Sequence, residues 1–336
     1  MNTTSNVIMG RRAFIGAGLA LAAALTGCGN SNAASSGSAG SGSAASGSSY
    51  KVGVIQLVEH SALDAANKGF VKALDESGLD VKIDQQNAQN DQSAAQTIAS
   101  KFVSDNDDLI FAIGTPAAQA AAGATTDIPV VGTAITDFAA SGLVESNDKP
   151  GNNVTGSSDL TPVAEQIEML HKVLPDAKTI GILFASNESN SEIQVEMAEE
   201  ACKKAGLDPV RYSVSSSNEI QSVTESMVGK VDAIYSPTDN TIAAGAAQVG
   251  QIANENKIPF VAGEEGMFTS GNALFTLSID YEQLGYTAGE MAIKILKGEA
   301  KPADMAIETT PKDKLKVLKN KDVAKELGVD LSALEN

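Results

Sequence analysis

Between residues 51 and 263, short apolar runs alternate with longer amphipathic stretches, and the alternation occurs twice. KVGVIQL (51–57) opens the first set. It is followed by 60–77, where Ala62, Ala65, Ala66, Phe70 and Leu74 fall on one helical face. The spacing then predicts strand 79–84, helix 91–104, strand LIFAIG (109–114), helix 116–123 and strand IPVVGTAI (128–135). After a Gly/Asn-rich stretch the rhythm restarts with helix 162–174, strand TIGILF (179–184), helix 189–205 and strand 209–213. Helix 218–228, strand VDAIYS (231–236), helix 240–255 and strand IPFVAG (258–263) complete it. The apolar runs are too short for core helices, and amphipathic helices separate them. They therefore predict parallel strands with helices on both faces. The expectation is an α/β protein of two doubly wound lobes, for which the 287 residues from Tyr50 onward suffice.

The residues before Tyr50 read differently. Arg11 and Arg12 precede the apolar run AFIGAGLALAAAL, which ends at Leu25-Thr26-Gly27-Cys28. A short basic region, an apolar core and a small-residue cleavage site describe an export signal. The run falls short of the roughly 20 apolar residues a membrane span needs. LTGC resembles the bacterial lipobox, which implies lipidation of Cys28; an ordinary signal peptide with an incidental Cys is the alternative. The paired Arg also resembles a twin-arginine export motif, and either export route fits. Residues 29–49 are almost entirely Gly, Ser, Ala and Asn. Such a chain buries little apolar surface, and a tether of this length reaches about 25 Å.

Downstream of Cys28 the chain carries 22 basic against 42 acidic residues. This balance argues against nucleic acid and against electrostatic docking on anionic lipid. Cys202 is the one cysteine left, so no intrachain disulfide can form. The two histidines, His60 and His171, lie in different halves, and neither has a second His nearby, which makes a zinc site improbable. There is no GxSxG elbow and no Walker GKS/T. No enzyme, cofactor or metal is expected.

Ligands of doubly wound sheets bind beyond the carboxyl ends of the strands. In the first half those ends carry Gln56, Glu59, Thr115 and Thr133; in the second they carry Ser186, Asn187, Asp239 and Glu264. Each hydroxyl, amide or acid could be only a helix cap. All six loops being polar favours one shared cleft. Arg211, the sole Arg of the mature chain, lies in a strand rather than in a cleft loop, so no Arg clamp on a carboxylate is expected. Thr115, Ser186 and Asn187 are the expected donors to a ligand carboxylate. Glu59, Asp239 and Glu264 are the expected acceptors for an ammonium. With no Trp in the chain, a stacking ring would come from Phe138, Phe184, Tyr235 or Phe268.

Several segments carry a resemblance. VGVIQLVEHSALDAANKGFVKALDESG (52–78) is the most distinctive, followed by AIGTPAAQAA (112–121), GSSDLTPVAEQIEML (156–170), SPTDNTIAAG (236–245) and DYEQLGYTAGEMAIKILKGEAKP (280–302). Together they resemble ABC-transporter substrate-binding lipoproteins of the tryptophan/tyrosine type. The resemblance implies a type I periplasmic-binding-protein fold: two lobes, three hinge crossings and a cleft between them. It also implies delivery of an aromatic or other small ligand to an ABC permease and ATPase. On this reading the leader is 1–28 and the tether 29–49. The first lobe is 50–157 plus 280–303, and the second is 158–279 plus 304–336. Crossings are expected near 157–160, 279–281 and 303–306. Asp159 and Asp280, at two of them, complete the candidate ligand-binding set. The protein is expected to be a monomer held to a membrane by lipid on Cys28. A receptor that presents its ligand to a membrane signalling protein is the alternative. A transcription regulator of the same fold is disfavoured, since no helix-turn-helix precedes the lobes.

Overall fold

A computed structural model describes residues 49–334; the leader and nearly all of the tether lie outside them. The elements of the first half are β1 (Tyr50–Gln56), α1 (Ser61–Glu76), β2 (Val81–Asn87), α2 (Gln92–Ser104), β3 (Leu109–Ile113), α3 (Thr115–Ala124), β4 (Val130–Ile135) and β5 (Val154–Ser158). Those of the second are α4 (Val163–Val173), β6 (Thr179–Ala185), α5 (Ser189–Ala205), β7 (Asp208–Val214), α6 (Ile220–Met227), β8 (Ala233–Ser236), α7 (Asn240–Ala244), α8 (Ala246–Glu255), β9 (Phe260–Ala262), α9 (Glu265–Ser270) and β10 (Phe275–Ser278). The chain ends with α10 (Tyr281–Leu296), β11 (Glu308–Thr309), β12 (Lys316–Lys319) and α11 (Lys321–Leu327). No helix among the described residues is long and apolar enough to cross a membrane.

Two six-stranded sheets result, with orders β11-β5-β4-β3-β1-β2 and β12-β10-β9-β8-β6-β7. The first is parallel throughout. The second departs from the all-parallel expectation at its edge, where β12 runs antiparallel to β10. A parallel strand needs a crossover to bring the chain back to its starting end. β12 instead arrives directly from β11 of the other sheet, and so enters in the opposite direction. The chain passes between the sheets after Ser158, before Tyr281 and after Thr309. The third crossing comes later than 303–306, because Glu308 and Thr309 extend the first sheet beside Ser157 and Ser158.

Apolar strands sandwiched by helices form a core in each half. In the first, Phe70 of α1 stacks on Phe111 of β3, with ring centroids 3.5 Å apart. Helix α10, although it begins at the second sheet, packs on α1 through glycines. A Cβ on Gly285 would stand 1.8 Å from the Ala66 carbonyl oxygen, and one on Gly69 1.9 Å from that of Glu282. Only the absence of side chains lets the two backbones approach so closely. The single helix expected at 240–255 is two, α7 and α8, which meet at Gly245. A Cβ there would lie 2.4 Å from Ile220 Cδ1.

Candidate functional site

The carboxyl ends of the two sheets face each other, and the groups between them line one small cavity. From the first half come His60 and Leu63 of the β1–α1 turn and Ala134 and Thr136 from the end of β4. Ala134 has φ 54, in the left-handed region that a non-glycine residue seldom adopts. The register of β4 against β5 shifts between Gly132 and Ile135, and this irregularity carries Ala134 and Thr136 to the lining. The crossings supply Asp159 and Tyr281; the second half supplies Asn190, Thr238, Asp239, Asn240, Ala243 and Glu264.

Three buried carboxylates thus share a lining that contains no Lys or Arg. Asp159 accepts a hydrogen bond from the Tyr281 hydroxyl at 3.0 Å through Oδ2, while its Oδ1 is buried without a partner. Burial pushes its carboxyl up to about 6, against the pull of hydrogen bonding from Tyr281 first and then from its own backbone N–H and Thr136. Glu264 caps α9, accepting from the backbone N–H groups of Gly266 and Met267, yet burial still raises it to about 7. Asp239 caps α7 through Ile242 N (2.8 Å) and also accepts from Ala185 N (2.6 Å) and Ser191 Oγ (2.7 Å). Its pKa is raised, first by burial and then by the negative charge of Glu188. Burial lowers His60, favouring its neutral form.

Hydrogen bonds span the cleft around this cavity. His60 Nε2 lies 3.4 Å from Asn240 Oδ1, and Asn90 Nδ2 donates to Thr241 Oγ1 at 2.9 Å. Gln194 Nε2 donates to Thr136 Oγ1 at 3.1 Å, and Gln119 Nε2 to Ser189 Oγ at 3.3 Å. The space left inside measures about 10 Å³, on the scale of one water molecule. Pockets for small organic ligands start at roughly 300 Å³. The lobes are therefore closed, and a ligand can enter only when they part.

Of the residues singled out in the sequence, the structure brings Asp159, Asp239 and Glu264 together. The others lie elsewhere. Gln56 donates to Asp64 Oδ1 at 2.6 Å and lines an outward groove with Glu59, which is exposed. Thr133 Oγ1 is spent on Ser157 Oγ at 2.8 Å, and Thr115 is buried at the start of α3 with Oγ1 unpartnered, outside the cavity lining. Ser186 and Asn187 are exposed, with the Ser186 hydroxyl bonded to the Val214 carbonyl. Asp280 caps α10 and pairs with Lys316 at 2.7 Å. Phe138, Phe184 and Tyr235 belong to the cores and Phe268 packs at the edge of one, so the rings in the lining are those of Tyr281 and His60. Arg211 sits on β7 in a pair with Glu199 at 2.7 Å, away from the cleft. Tyr281, Thr136, Asn190 and Thr238 were missed; Tyr281 follows a capping Asp at a crossing, the one signal that could have pointed to it.

Three comparisons place this geometry among known proteins. A tyrosine-binding protein of Clostridioides difficile is 44% identical over 316 residues, covering 93% of this chain and 90% of that one. The structure of an ABC domain in complex with L-Trp, from Streptococcus pneumoniae, superposes with a TM-score of 0.82 at 41% identity, over 86% of this chain and 98% of that chain. A ligand-free, open substrate-binding protein with adhesive properties from Clostridium difficile gives 0.64 at 47% identity, over 85% and 97%. Structural likeness runs opposite to sequence identity here. The family model for ABC transporter substrate binding proteins matches residues 51–334, and the chain belongs to that family.

Proposed function

We propose that this protein captures a free amino acid with an aromatic side chain between its lobes and hands it to an ABC permease. The observation that carries the reading is Asp159 Oδ1, a buried carboxylate oxygen without a hydrogen-bond partner in an acid-lined cavity whose lining has no Lys or Arg. A buried acceptor left unpaired is costly, and an ammonium group satisfies it by a charge-assisted hydrogen bond. Glu264 and Asp239 lower the potential further at the same place. The ligand carboxylate is held by Thr136 and Asn190, whose hydroxyl and amide face the acids, while the Asn240 amide and the Thr238 hydroxyl are committed to Glu188 and Gln194. Tyr281 and the neutral His60 ring lie beside the ligand's apolar part. The tyrosine-binding relative and the L-Trp complex support an aromatic side chain. Isothermal titration against the twenty amino acids tests the reading. L-tyrosine, L-tryptophan or both should bind, and no heat with any of the twenty would sink it.

Substrate-binding proteins of ABC importers work outside the cytoplasm. We assign the anchor to lipid on Cys28, with 29–49 as the spacer to the folded lobes, and the binding unit to a single chain. Membrane fractionation of Cys28→Ser against the parent tests the anchor: release into the soluble fraction supports it, and unchanged pelleting without detectable lipid on the parent refutes it.

A further inference from the structure

Glu188 is the N-cap residue of α5, 2% exposed, and does not line the cavity. Its carboxylate nevertheless accepts five hydrogen bonds. Oε2 receives Asn240 Nδ2 (2.6 Å), Asn240 N (3.2 Å) and Asn190 Nδ2 (3.1 Å). Oε1 receives Thr241 Oγ1 (2.7 Å) and Thr241 N (2.9 Å). Asn240 and Thr241 are the residues that meet the other lobe through His60 and Asn90. We infer that Glu188 is a positioning residue for closure: it fixes the donor–acceptor polarity of the hydrogen-bonded latch that holds the two lobes together.

The argument is one of direction. A carboxylate can only accept. The Thr241 hydroxyl must therefore spend its proton on Glu188, which leaves its lone pairs to accept from the Asn90 amide across the cleft. In the same way the Asn240 amide must turn its NH₂ toward Glu188, which turns Oδ1 toward His60. A carbonyl oxygen cannot donate, so His60 must carry its proton on Nε2, and its Nδ1 is the nitrogen buried without a partner. Of the four bonds that span the cleft, these two inherit their sense from the one buried carboxylate. Asn190, on the cavity wall, is oriented by the same oxygen.

Glu188→Gln keeps the shape and breaks the polarity. A Gln places an NH₂ against donors on one side of the site, so at least one of the two latch residues must turn round. This prediction rests on the cleft being the ligand site, and the experiment separates the two. The first readout is the dissociation rate of L-tyrosine, or of L-tryptophan if that is the ligand bound, by stopped flow. Glu188→Gln should raise it about 10-fold, the scale of one hydrogen bond to a charged group. The second is the His60 tautomer, read from ring ¹⁵N shifts; with two histidines in the chain, His171→Gln assigns the spectrum. The parent with ligand should show the Nε2–H form, and Glu188→Gln a shift toward Nδ1–H, an effect that general destabilisation does not produce. An unchanged tautomer together with a dissociation rate within twofold of the parent overturns the inference. Should Glu188→Gln fail to fold, Asn90→Gly, which preserves the left-handed backbone at φ 59, and Asn240→Ala each remove one cross-cleft bond. Faster dissociation in both supports the latch, and no change in either overturns it. If the parent binds neither amino acid, the amino-acid reading fails, and the tautomer measured on the ligand-free protein still decides the role of Glu188.

Discussion

Replacing Asp159 by Asn should weaken ligand binding and strengthen the ligand-free protein at the same time. The side chain is buried, its carboxyl raised from an ordinary 3.8 to about 6 by that burial, and Oδ1 has no partner. A raised carboxyl pKa means that the folded state disfavours the charged form, so the cost is fully present above about pH 6, shrinks as pH falls toward 3.8, and is absent only below it, where the group is protonated folded or unfolded. From 3.8 to about 6 corresponds to about 3 kcal/mol at pH 8. Asn removes that cost but gives the Tyr281 hydroxyl a neutral acceptor in place of a charged one, a loss of about 1 kcal/mol. Ligand-free Asp159→Asn should therefore be more stable than the parent by about 1–2 kcal/mol at pH 8, with the gap narrowing at pH 5, where about half of the cost remains, and closing only below about pH 4. Binding moves the other way. A hydrogen bond between an ammonium and this carboxylate is worth about 1.5–3 kcal/mol, so affinity should drop about 10- to 150-fold. Thermal melts at both pH values and calorimetric titration with L-tyrosine or L-tryptophan measure the two effects. If stability and affinity fall together, Asp159 is a structural residue and not the ammonium acceptor. Unchanged affinity refutes the assignment outright.

The exposed residues in the same sequence segments should behave as controls: Glu59→Ala and Asn187→Ala should each leave affinity within about twofold, and a larger loss would place the ligand elsewhere. Melting temperature without ligand should fall from pH 5 to pH 8. Asp159, Glu264 and Asp239 all lose folded-state protons over that window, and His60, whose lowered pKa acts in the opposite sense, is one group against three; a rise over the same range would contradict the buried-acid picture. Gly285→Ala should destabilise by about 1–3 kcal/mol, since its Cβ would meet the Ala66 carbonyl at 1.8 Å, and unchanged denaturant unfolding would show that the two helices can separate freely.

Much of the fold was readable because periodicity reports burial. Helix 189–205 matches α5 residue for residue, and the runs at 109–114 and 179–184 match β3 and β6 within a residue. β10 escaped although it lies in the apolar run ALFTLSI (273–279), and the other strands that escaped had no apolar run of their own. β5 (VTGSS) is fully buried yet carries three hydroxyls: Ser157 and Ser158 reach the carbonyls of Leu284 and Thr136, and Thr155 that of Met305. β11 and β12 are short edge strands whose partners lie about 150 and 40 residues away in sequence. Pairing at that distance leaves no local trace, and this is why the last crossing was placed too early.

The site was readable where one residue both caps a helix and faces the cleft. Asp239 and Glu264 do both, and a strand followed by an acid and a helix is visible in sequence. Glu59, Ser186 and Asn187 sit one to three residues past the same kind of strand end, but on turns that point outward, and sequence does not record which way a turn points. Glu188 was invisible for a different reason. At the head of a long helix it looks like an ordinary charge on the helix dipole, whereas its five donors come from Asn190 and from residues 52 and 53 positions later. Arg211, the one arginine after Cys28, pairs with Glu199 on β7, and the cavity lining holds no Lys or Arg. A cleft closed on three acids carries the cost of burying them, which protons or a cation relieve. In the proposed reading a ligand ammonium supplies that cation at the position where Asp159 Oδ1 lacks a partner. Closure is in this way coupled to the ligand's charge as well as to its shape, and an aromatic acid without an amino group should fail to hold the lobes together however well its ring fits.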